Sequence, residues 1–109
     1  MGVTKTEIFT VEQNKMATLL KALAHPARIS ILQQIIQSKA CICGDLSNEL
    51  GLAQATVSQH LKELKTAGFI KGTIEGVSVC YCINETLWNE FREDFVNFLS
   101  IPISNQSTC

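Results

Sequence analysis

The first third of the chain repeats apolar residues at helical spacing. Met16, Leu19, Leu20 and Leu23 fall at i, i+3, i+4 and i+7, which predicts an amphipathic helix beginning at Val11. The pair His25-Pro26 should end this helix, because proline suits the first position of the next one. The second helix is then expected to bury an apolar stripe formed by Ile29, Leu32, Ile35 and Ile36.

The middle of the chain predicts two further helices joined by a tight turn. A short extended segment is expected over 40–43, and a brief third helix should start at Gly44-Asp45 with Leu46 and Leu50 facing inward. Gly51 should end it, and a three-residue turn over 51–53 leads to a fourth helix. That helix is expected over 54–67, and Gly68 should stop it. Its apolar seam is Val57, Leu61 and Leu64.

A hairpin and a last helix follow. The predicted strands cover 70–75 and 79–84, with a turn at 75–78. Period-two alternation separates the second strand into two faces. One face carries Val79, Tyr81 and Ile83, and the other carries Cys80 and Cys82. Asn84 is a suitable cap for the last helix, which should end at Pro102. Its apolar stripe is Leu87, Phe91, Phe95 and Phe98.

This order of elements predicts a mainly α, α+β fold: a winged helix-turn-helix with five helices and a β-hairpin wing. The length of 109 residues favours one domain, over 11–100, between flexible ends at 1–10 and 101–109. The sequence has no stretch resembling a membrane span or a signal peptide, so we expect a cytoplasmic protein without a membrane partner.

Charge is distributed unevenly along the chain. The net charge of -1 is mild evidence against nucleic acid. Residues 85–109, however, carry four acidic side chains against Arg92 alone, whereas residues 1–40 carry five basic side chains against two acidic ones. A local basic face can therefore still bind phosphates.

The fourth helix and the wing offer the residue types that contact DNA. Short hydroxyl and amide side chains near a helix N-terminus can meet base edges in the major groove, and lysines suit phosphates. The candidate DNA-binding residues are Gln54, Thr56, Ser58, Gln59, His60, Lys62, Lys65, Lys71, Thr73 and Ser78. A polar helix face with no ligand is the alternative.

Four segments together resemble the ArsR/SmtB-type bacterial transcriptional repressors. They are 23–28 (LAHPAR), 41–46 (CICGDL), 55–64 (ATVSQHLKEL) and 68–70 (GFI). The resemblance implies a homodimer that binds a palindromic operator and releases it when an inducer binds. It also implies a dimer interface on the first and last helices, formed here by Met16, Leu19, Leu20, Leu87, Phe91, Phe95 and Phe98. The alternative for the last-helix stripe is that it only completes the core of one chain.

The chain has five cysteines, which are its candidate residues for metal binding or redox chemistry. In a reducing compartment we expect thiols or metal ligands rather than disulfides. Cys41 and Cys43 resemble a motif of the arsenic-responsive branch of that family, but Ser47 stands where that branch has a further cysteine. If segment 40–43 pairs with segment 79–83, Cys80 and Cys82 would face Cys41 and Cys43.

Four gathered thiols predict a soft-metal site at Cys41, Cys43, Cys80 and Cys82. Three thiolates suit trivalent arsenic or antimony as inducer, and four suit zinc or cadmium. The sequence thus predicts a metalloid-released repressor rather than an enzyme. The main alternative is a persulfide or redox sensor that bridges Cys41 or Cys43 to Cys109. A thiol oxidoreductase, an interaction module and simple packing of small apolar cysteines are weaker alternatives.

Overall fold

The computed structural model describes residues 8–44, 46–73, 79–104 and 106. Within these ranges it contains five helices and three strands, which confirms the predicted fold class. The helices are α1 (Val11–Leu23), α2 (Pro26–Ser38), α3 (Ser47–Leu50), α4 (Gln54–Ala67) and α5 (Glu85–Leu99). The strands are β1 (Ile42–Cys43), β2 (Ile70–Thr73) and β3 (Cys80–Ile83). None of the helices in the described ranges is both long and apolar enough to cross a lipid bilayer.

Side-chain caps fix the beginnings of the first two helices. The Thr10 hydroxyl accepts from the Gln13 backbone N–H at 3.0 Å, while the Gln13 side chain accepts from the Thr10 N–H. This capping box satisfies two N–H groups that a helix start otherwise leaves unpaired. His25 caps α2 by accepting from the Ala27 N–H at 3.0 Å, and Pro26 is the first helical residue, as predicted.

The predicted inner face of α2 is partly wrong. Leu32 and Ile35 are buried, but Ile31 is buried with them, whereas Ile29 and Ile36 are 47% and 44% exposed. At 100° per residue, positions 31, 32 and 35 share one arc of the helix, and positions 29 and 36 lie beside that arc. Since α2 packs against both α4 and β3, the arc that faces these two elements is the one buried.

The third helix begins later than predicted, at Ser47. Gly44 does not start a helix, because its φ of 107° is left-handed and its N–H donates to the Val79 carbonyl at 2.9 Å. It therefore continues the pairing of β1 with β3. Leu46 is buried as predicted, and Asp45 lies outside the described residues.

The sheet has the strand order β1-β3-β2, with both pairs antiparallel. Ile42 lies opposite Tyr81 and Cys43 lies opposite Cys80, which confirms the predicted pairing. Tyr81 is fully buried, so the odd-numbered residues of β3 face the core, as the alternation indicated. The turn predicted at 75–78 lies outside the described residues.

Gly72 allows β2 and β3 to approach closely. It lies opposite Tyr81 with a φ of 130°, a backbone conformation that side-chain-bearing residues rarely adopt. A Cβ atom at this position would overlap the Cys80 carbonyl oxygen and lie 2.8 Å from the Tyr81 Cα atom. The close pairing of these two strands therefore depends on the missing side chain.

The helix α4 spans 54–67 as predicted, and Val57, Leu61 and Leu64 are buried. Arg28 connects it to the helices beside it. The Arg28 Nε atom donates to His60 Nδ1 at 3.0 Å, and one of its terminal amino groups donates to the Ala22 carbonyl oxygen at 3.1 Å. One guanidinium thus connects α1, α2 and α4, and it satisfies a carbonyl near the C-terminus of α1.

Protonation of His60 is disfavoured in the folded chain. Burial lowers the pKa of His60 below its usual value, and the nearby His25 and Arg28 lower it further, against a smaller opposing effect of Glu63. A protonated His60 ring would also present an N–H to the donating Arg28 Nε. The hydrogen bond from Arg28 Nε to His60 Nδ1 therefore requires the neutral imidazole.

A row of aromatic rings runs from the core to the surface of α5. The ring centroids of Phe69 and Phe91 are 5.3 Å apart, those of Phe91 and Phe95 are 5.6 Å apart, and those of Phe95 and Phe98 are 6.4 Å apart. Phe91 is buried, whereas Phe98 is 53% exposed. The stripe therefore both completes the core and extends beyond it.

We expect Gly72→Ala to destabilise the fold by about 1–3 kcal/mol from backbone strain alone, with a further loss from the overlap with Cys80. Gly51→Ala is the matched control, because Gly51 also has a positive φ but open space around it. Denaturant unfolding of both variants gives the comparison. Equal losses would mean that the strand approach at Gly72 is not the constraint inferred here.

The lowered pKa of His60 predicts that acid destabilises the fold. Below a pH of about 6.5 the unfolded chain takes up a proton at His60 that the folded chain resists, so the free energy of unfolding should fall as pH decreases through that value. His60→Asn keeps an acceptor but cannot titrate. Urea unfolding at about pH 7.5 and about pH 5.5 should therefore show a smaller acid loss in this variant. An unchanged loss would assign the pH dependence to other groups.

Candidate functional site

The outer face of α4 carries most of the predicted DNA-binding residues. Ser58 is partly exposed, and Ser78 lies outside the described residues. The other side chains on α4 and β2 that are exposed as predicted are Gln54, Thr56, Gln59, Lys62, Lys65, Lys71 and Thr73. The amide of Gln59 donates to the Glu63 carboxylate at 3.0 Å, which orients it along the helix.

His60 does not belong to this face. It is only 8% exposed, its Nδ1 atom accepts from Arg28, and its ring lies 4.4 Å from that of His25 between centroids. The sequence pattern failed here because position 60 directly precedes the seam residue Leu61 and lies on the side of α4 that meets α2. We therefore remove His60 from the predicted DNA-binding set.

The N-terminus of α4 is open to an anion. Its cap residue Ala53 provides no side-chain hydrogen bond, and its first turn contains no acidic residue. The first N–H groups of a helix are otherwise unpaired and carry the positive end of the helix dipole, so they suit a phosphate oxygen. The exposed Lys65 lies at the other end of α4, in its last turn, and the exposed Lys71 lies on β2. Lysine side chains of this kind suit phosphate contacts.

The four predicted thiol residues lie together on the outer face of the sheet, in two cross-strand pairs. Cys41 faces Cys82 with their Cα atoms 4.3 Å apart, and Cys43 faces Cys80 with their Cα atoms 4.1 Å apart. Such spacing is typical of non-hydrogen-bonded pairs in antiparallel strands, where facing side chains are nearest. The sequence pattern predicted this gathering correctly.

Each of these pairs is joined by a disulfide, and the expectation of reduced thiols is wrong for this structure. The reason is the register, because directly facing cysteines on paired strands are within bonding distance without any backbone movement. A disulfide sulfur is no longer a thiolate. Within the described part of the chain, no group of three or more His, Cys, Asp or Glu side chains is arranged to hold a metal ion.

Reduction of both disulfides would provide four thiols on one surface. Successive pairs are two residues apart along each strand, so they are separated by about 7 Å. Two facing thiols can bind one soft atom directly, and a third must come from the neighbouring pair. The two facing thiols of one pair suit one soft atom such as trivalent arsenic or antimony, whereas a third or fourth thiolate ligand, as zinc or cadmium would need, requires one pair to move toward the other.

The thiol site is connected closely to the DNA-binding helices. The Gly44 N–H, one residue after Cys43, donates to Val79, one residue before Cys80. Buried Leu46 then leads into α3, whose end at Gly51 begins the turn to α4. A change in the pairing of β1 with β3 is therefore only a few residues from the helix-turn-helix.

Cys109 lies outside the described residues, so the predicted bridge to it is not described. Both of its predicted partners, Cys41 and Cys43, are paired with β3 cysteines in this structure. Two residues were missed by the sequence analysis: Arg28, which hydrogen-bonds His60 of α4, and Trp88, which lines the same cavity as Cys41 and Cys82. Arg28 lies inside a segment that carried the family resemblance, and Trp88 directly follows a residue of the predicted α5 stripe.

The residues predicted to form a dimer interface fall into two groups. Leu19 and Phe91 are buried in the chain's own core, whereas Phe98 is exposed, and the other four are partly buried. A groove of about 470 Å³ lies between α1 and α5. Its apolar walls include Met16, Leu19, Phe91 and Phe98, with Val11 and Ile101 at its sides.

Residues 25–71 match the family described as "Bacterial regulatory protein, arsR family". The chain is 35% identical over 80 residues to the transcriptional repressor PagR of Bacillus anthracis, covering 73% of this chain and 78% of PagR. It is 46% identical over 63 residues to the HTH-type transcriptional repressor SmtB of Mycobacterium tuberculosis, covering 58% of this chain. That match spans 46% of SmtB, about half of its length.

A solution structure has a similar fold over nearly the whole chain. It is the homodimeric winged helix-turn-helix DNA-binding domain Mb0332 from Mycobacterium bovis, with a TM-score of 0.59 and 22% identity, covering 97% of this chain and 96% of that one. At this identity the likeness supports the winged fold alone. The relatives are named as transcriptional regulators, in agreement with the predicted regulator rather than an enzyme. The extent and identity of the PagR match, with the family match across the helix-turn-helix, show that this chain belongs to the arsR family of bacterial regulatory proteins.

Proposed function

We propose that the chain is a homodimeric transcriptional repressor that releases a palindromic operator when trivalent arsenic or antimony binds its reduced thiols. The observation that carries this proposal is the register of β1 on β3, which gathers Cys41, Cys43, Cys80 and Cys82 on one surface next to α3. A DNA-binding regulator acts where the DNA is, in the reducing cytoplasm, so the working state of these residues is the dithiol.

Operator binding is assigned to the outer face of α4 and to β2. Gln54 and Thr56 are exposed in the first turn of α4, where side chains reach base edges in the major groove. Lys65, in the last turn of α4, and Lys71, on β2, are also exposed and supply phosphate contacts. Ser78 stays a prediction for the tip of the wing.

The dimer is assigned to α1 and α5. Phe98 and Ile101 line the groove between these helices and are exposed, and Val96 and Leu99 are further exposed apolar side chains of α5. Exposure of such an apolar surface to water is unfavourable, and a second copy of the chain would cover it. A twofold dimer places two recognition helices on two half-sites, which is why the operator should be palindromic.

Release is proposed to be a coupling between the thiol site and the recognition helix. Binding one soft atom by thiols of β1 and β3 changes the spacing of these strands, and the short connection through Leu46 transmits the change to α3 and α4. A coupling free energy of about 1–3 kcal/mol weakens DNA binding by about 5- to 150-fold, which is enough for a genetic switch.

The two disulfides favour a second candidate signal, oxidation of the same cysteines. Each disulfide forms when two thiols lose two electrons and two protons to an oxidant such as a polysulfide or a hydroperoxide. In this candidate the bridges join β1 to β3, and Cys109 is not needed.

Lys65→Gln and Lys71→Gln should each weaken binding about equally to all DNA sequences, and each should reduce the slope of log affinity against log salt by about 1. Arg92→Gln is the matched control, since it removes one positive charge from the exposed face of α5. Fluorescence anisotropy with labelled DNA from upstream of the gene, measured at several salt concentrations, gives these slopes. If Arg92→Gln lowered the slope as much as the other two, the DNA surface would not be α4 and β2.

Arsenite should release the reduced chain from this DNA under anaerobic conditions, weakening binding by about 5- to 150-fold. Changing all four sheet cysteines to serine should abolish the response and leave DNA binding intact, whereas Cys109→Ser should respond like the unaltered chain. Anisotropy titrations with arsenite and, separately, with polysulfide measure both effects.

Release by polysulfide alone would overturn the metalloid proposal in favour of the redox candidate. In that case Cys109→Ser separates the two possible bridges. A bridge between β1 and β3 survives this substitution, and a bridge to Cys109 does not.

A further inference from the structure

The two cysteine pairs have different surroundings. A cavity of about 320 Å³ opens beside Cys41 and Cys82, at the place where the end of α2, the end of β3 and the start of α5 meet. The pair of Cys43 and Cys80 is not among its lining residues. Side chains that line the cavity include Ile35, Ile36, Cys41, Cys82, Ile83 and Trp88. We call it the Trp88 cavity.

Apolar groups form the walls of the Trp88 cavity. Ile35 is buried at its base, and Trp88 is held in place by an edge-to-face contact with Phe69, with ring centroids 6.0 Å apart. Ile36 borders the cavity with 44% of its surface exposed, although it is a large apolar residue. The charged lining residues, Lys39 and Glu85, are both exposed to solvent. An apolar group that enters the cavity would leave water, and it would also remove water from the apolar side chains of the cavity wall. Both changes favour its binding.

The cysteine pair beside the cavity offers two thiols, and this number selects a class of ligand. Inorganic arsenite has three exchangeable oxygens and can use three thiols. A monosubstituted trivalent arsenical has one carbon bound to arsenic and two exchangeable hydroxyls, so two facing thiols satisfy it. Its third substituent stays on the arsenic and needs space next to the sulfurs, which the Trp88 cavity provides.

We propose that the reduced Cys41–Cys82 pair, together with the Trp88 cavity, is a binding site for trivalent arsenicals that carry one aryl group. This inference rests on the proposed function and names a ligand class for its thiol site. The arsenic lies between the two sulfurs, and the aryl ring enters the cavity against Ile36 and Trp88.

The binding step balances without a change of oxidation state. Two arsenic–oxygen bonds break and two arsenic–sulfur bonds form, and each thiol proton leaves with a hydroxyl group as water. The Cys41–Cys82 disulfide must first accept two electrons and two protons from a reductant, which is a phosphine in the test below and a thiol reductant in a cell.

Trp88 is the only tryptophan of the chain, so its emission reports on the cavity directly. The full chain is reduced with a phosphine, desalted without oxygen and titrated with phenylarsine oxide, methylarsine oxide or arsenite. Both organic probes use two thiols, so the difference between them isolates the ring. From the apolar area that a phenyl ring buries, we expect phenylarsine oxide to bind roughly 10- to 100-fold tighter than methylarsine oxide and to shift Trp88 emission.

Ile36→Asp places a charge in the cavity wall at a partly exposed position, where it should not prevent folding. It should weaken phenylarsine oxide by roughly tenfold or more while leaving arsenite within about twofold. Ile29→Asp is the matched control, because Ile29 is equally exposed on the same helix and does not line the cavity. Cys43→Ser with Cys80→Ser should preserve both the preference for phenylarsine oxide over methylarsine oxide and the shift of Trp88 emission. Cys41→Ser leaves only the Cys43–Cys80 pair, which does not line the cavity, and should abolish both.

Equal affinity for the phenyl and methyl compounds, or equal effects of Ile36→Asp and Ile29→Asp, would overturn the aryl site. The proposed function would then still stand if arsenite bound the thiols and released DNA. If the reduced chain bound none of the three compounds, the proposed function itself would fail, and the aryl site would fail with it.

Discussion

The antiparallel register of β1 on β3 determines both the burial of Tyr81 and the position of four sulfur atoms. It places Ile42 opposite Tyr81, with Tyr81 fully buried, and by the same alternation it places four sulfurs on the outer face. A slip of one residue would expose the tyrosine and turn the cysteines into the core, so core packing and thiol geometry cannot vary independently. The hydrophobic effect therefore sets the spacing of the sulfurs, and the sulfur chemistry acts on strands that are already positioned.

The sequence predicted an element correctly wherever its hydrophobic period and a residue that ends such an element indicated the same boundary. The fourth helix was predicted to the residue because a seam of Val57, Leu61 and Leu64 ends at Gly68, a residue suited to a left-handed cap. Period-two alternation also predicted which cysteines share a face, whereas the pairing of the two cysteine segments was only a condition of that prediction, and the structure supplies it. The family resemblance agreed with these predictions but was not needed for them.

The sequence was insufficient where a residue's environment comes from distant elements. Ile29 fits a helical stripe as well as Ile31 does, and only the packing of α2 against β3 and α4 selects Ile31. His60 fits a DNA-facing pattern, and only the guanidinium of Arg28, 32 residues earlier, shows that it faces inward. The oxidation state of the cysteines is not a property of the pattern at all, because the same facing geometry serves two thiols or one disulfide.

The two disulfides also have a topological consequence. Their sequence separations are 41 and 37 residues, and α3, the turn and α4 lie entirely between the linked positions. In the oxidised chain the DNA-binding motif is thus a closed covalent ring, with α1, α2 and α5 outside it. Closing a loop of this length removes about 4 kcal/mol of chain entropy from the unfolded state, and the second, nested bridge adds much less because the ends are already held together. Reduction opens the ring, so this motif becomes the region where local unfolding changes most between the two redox states.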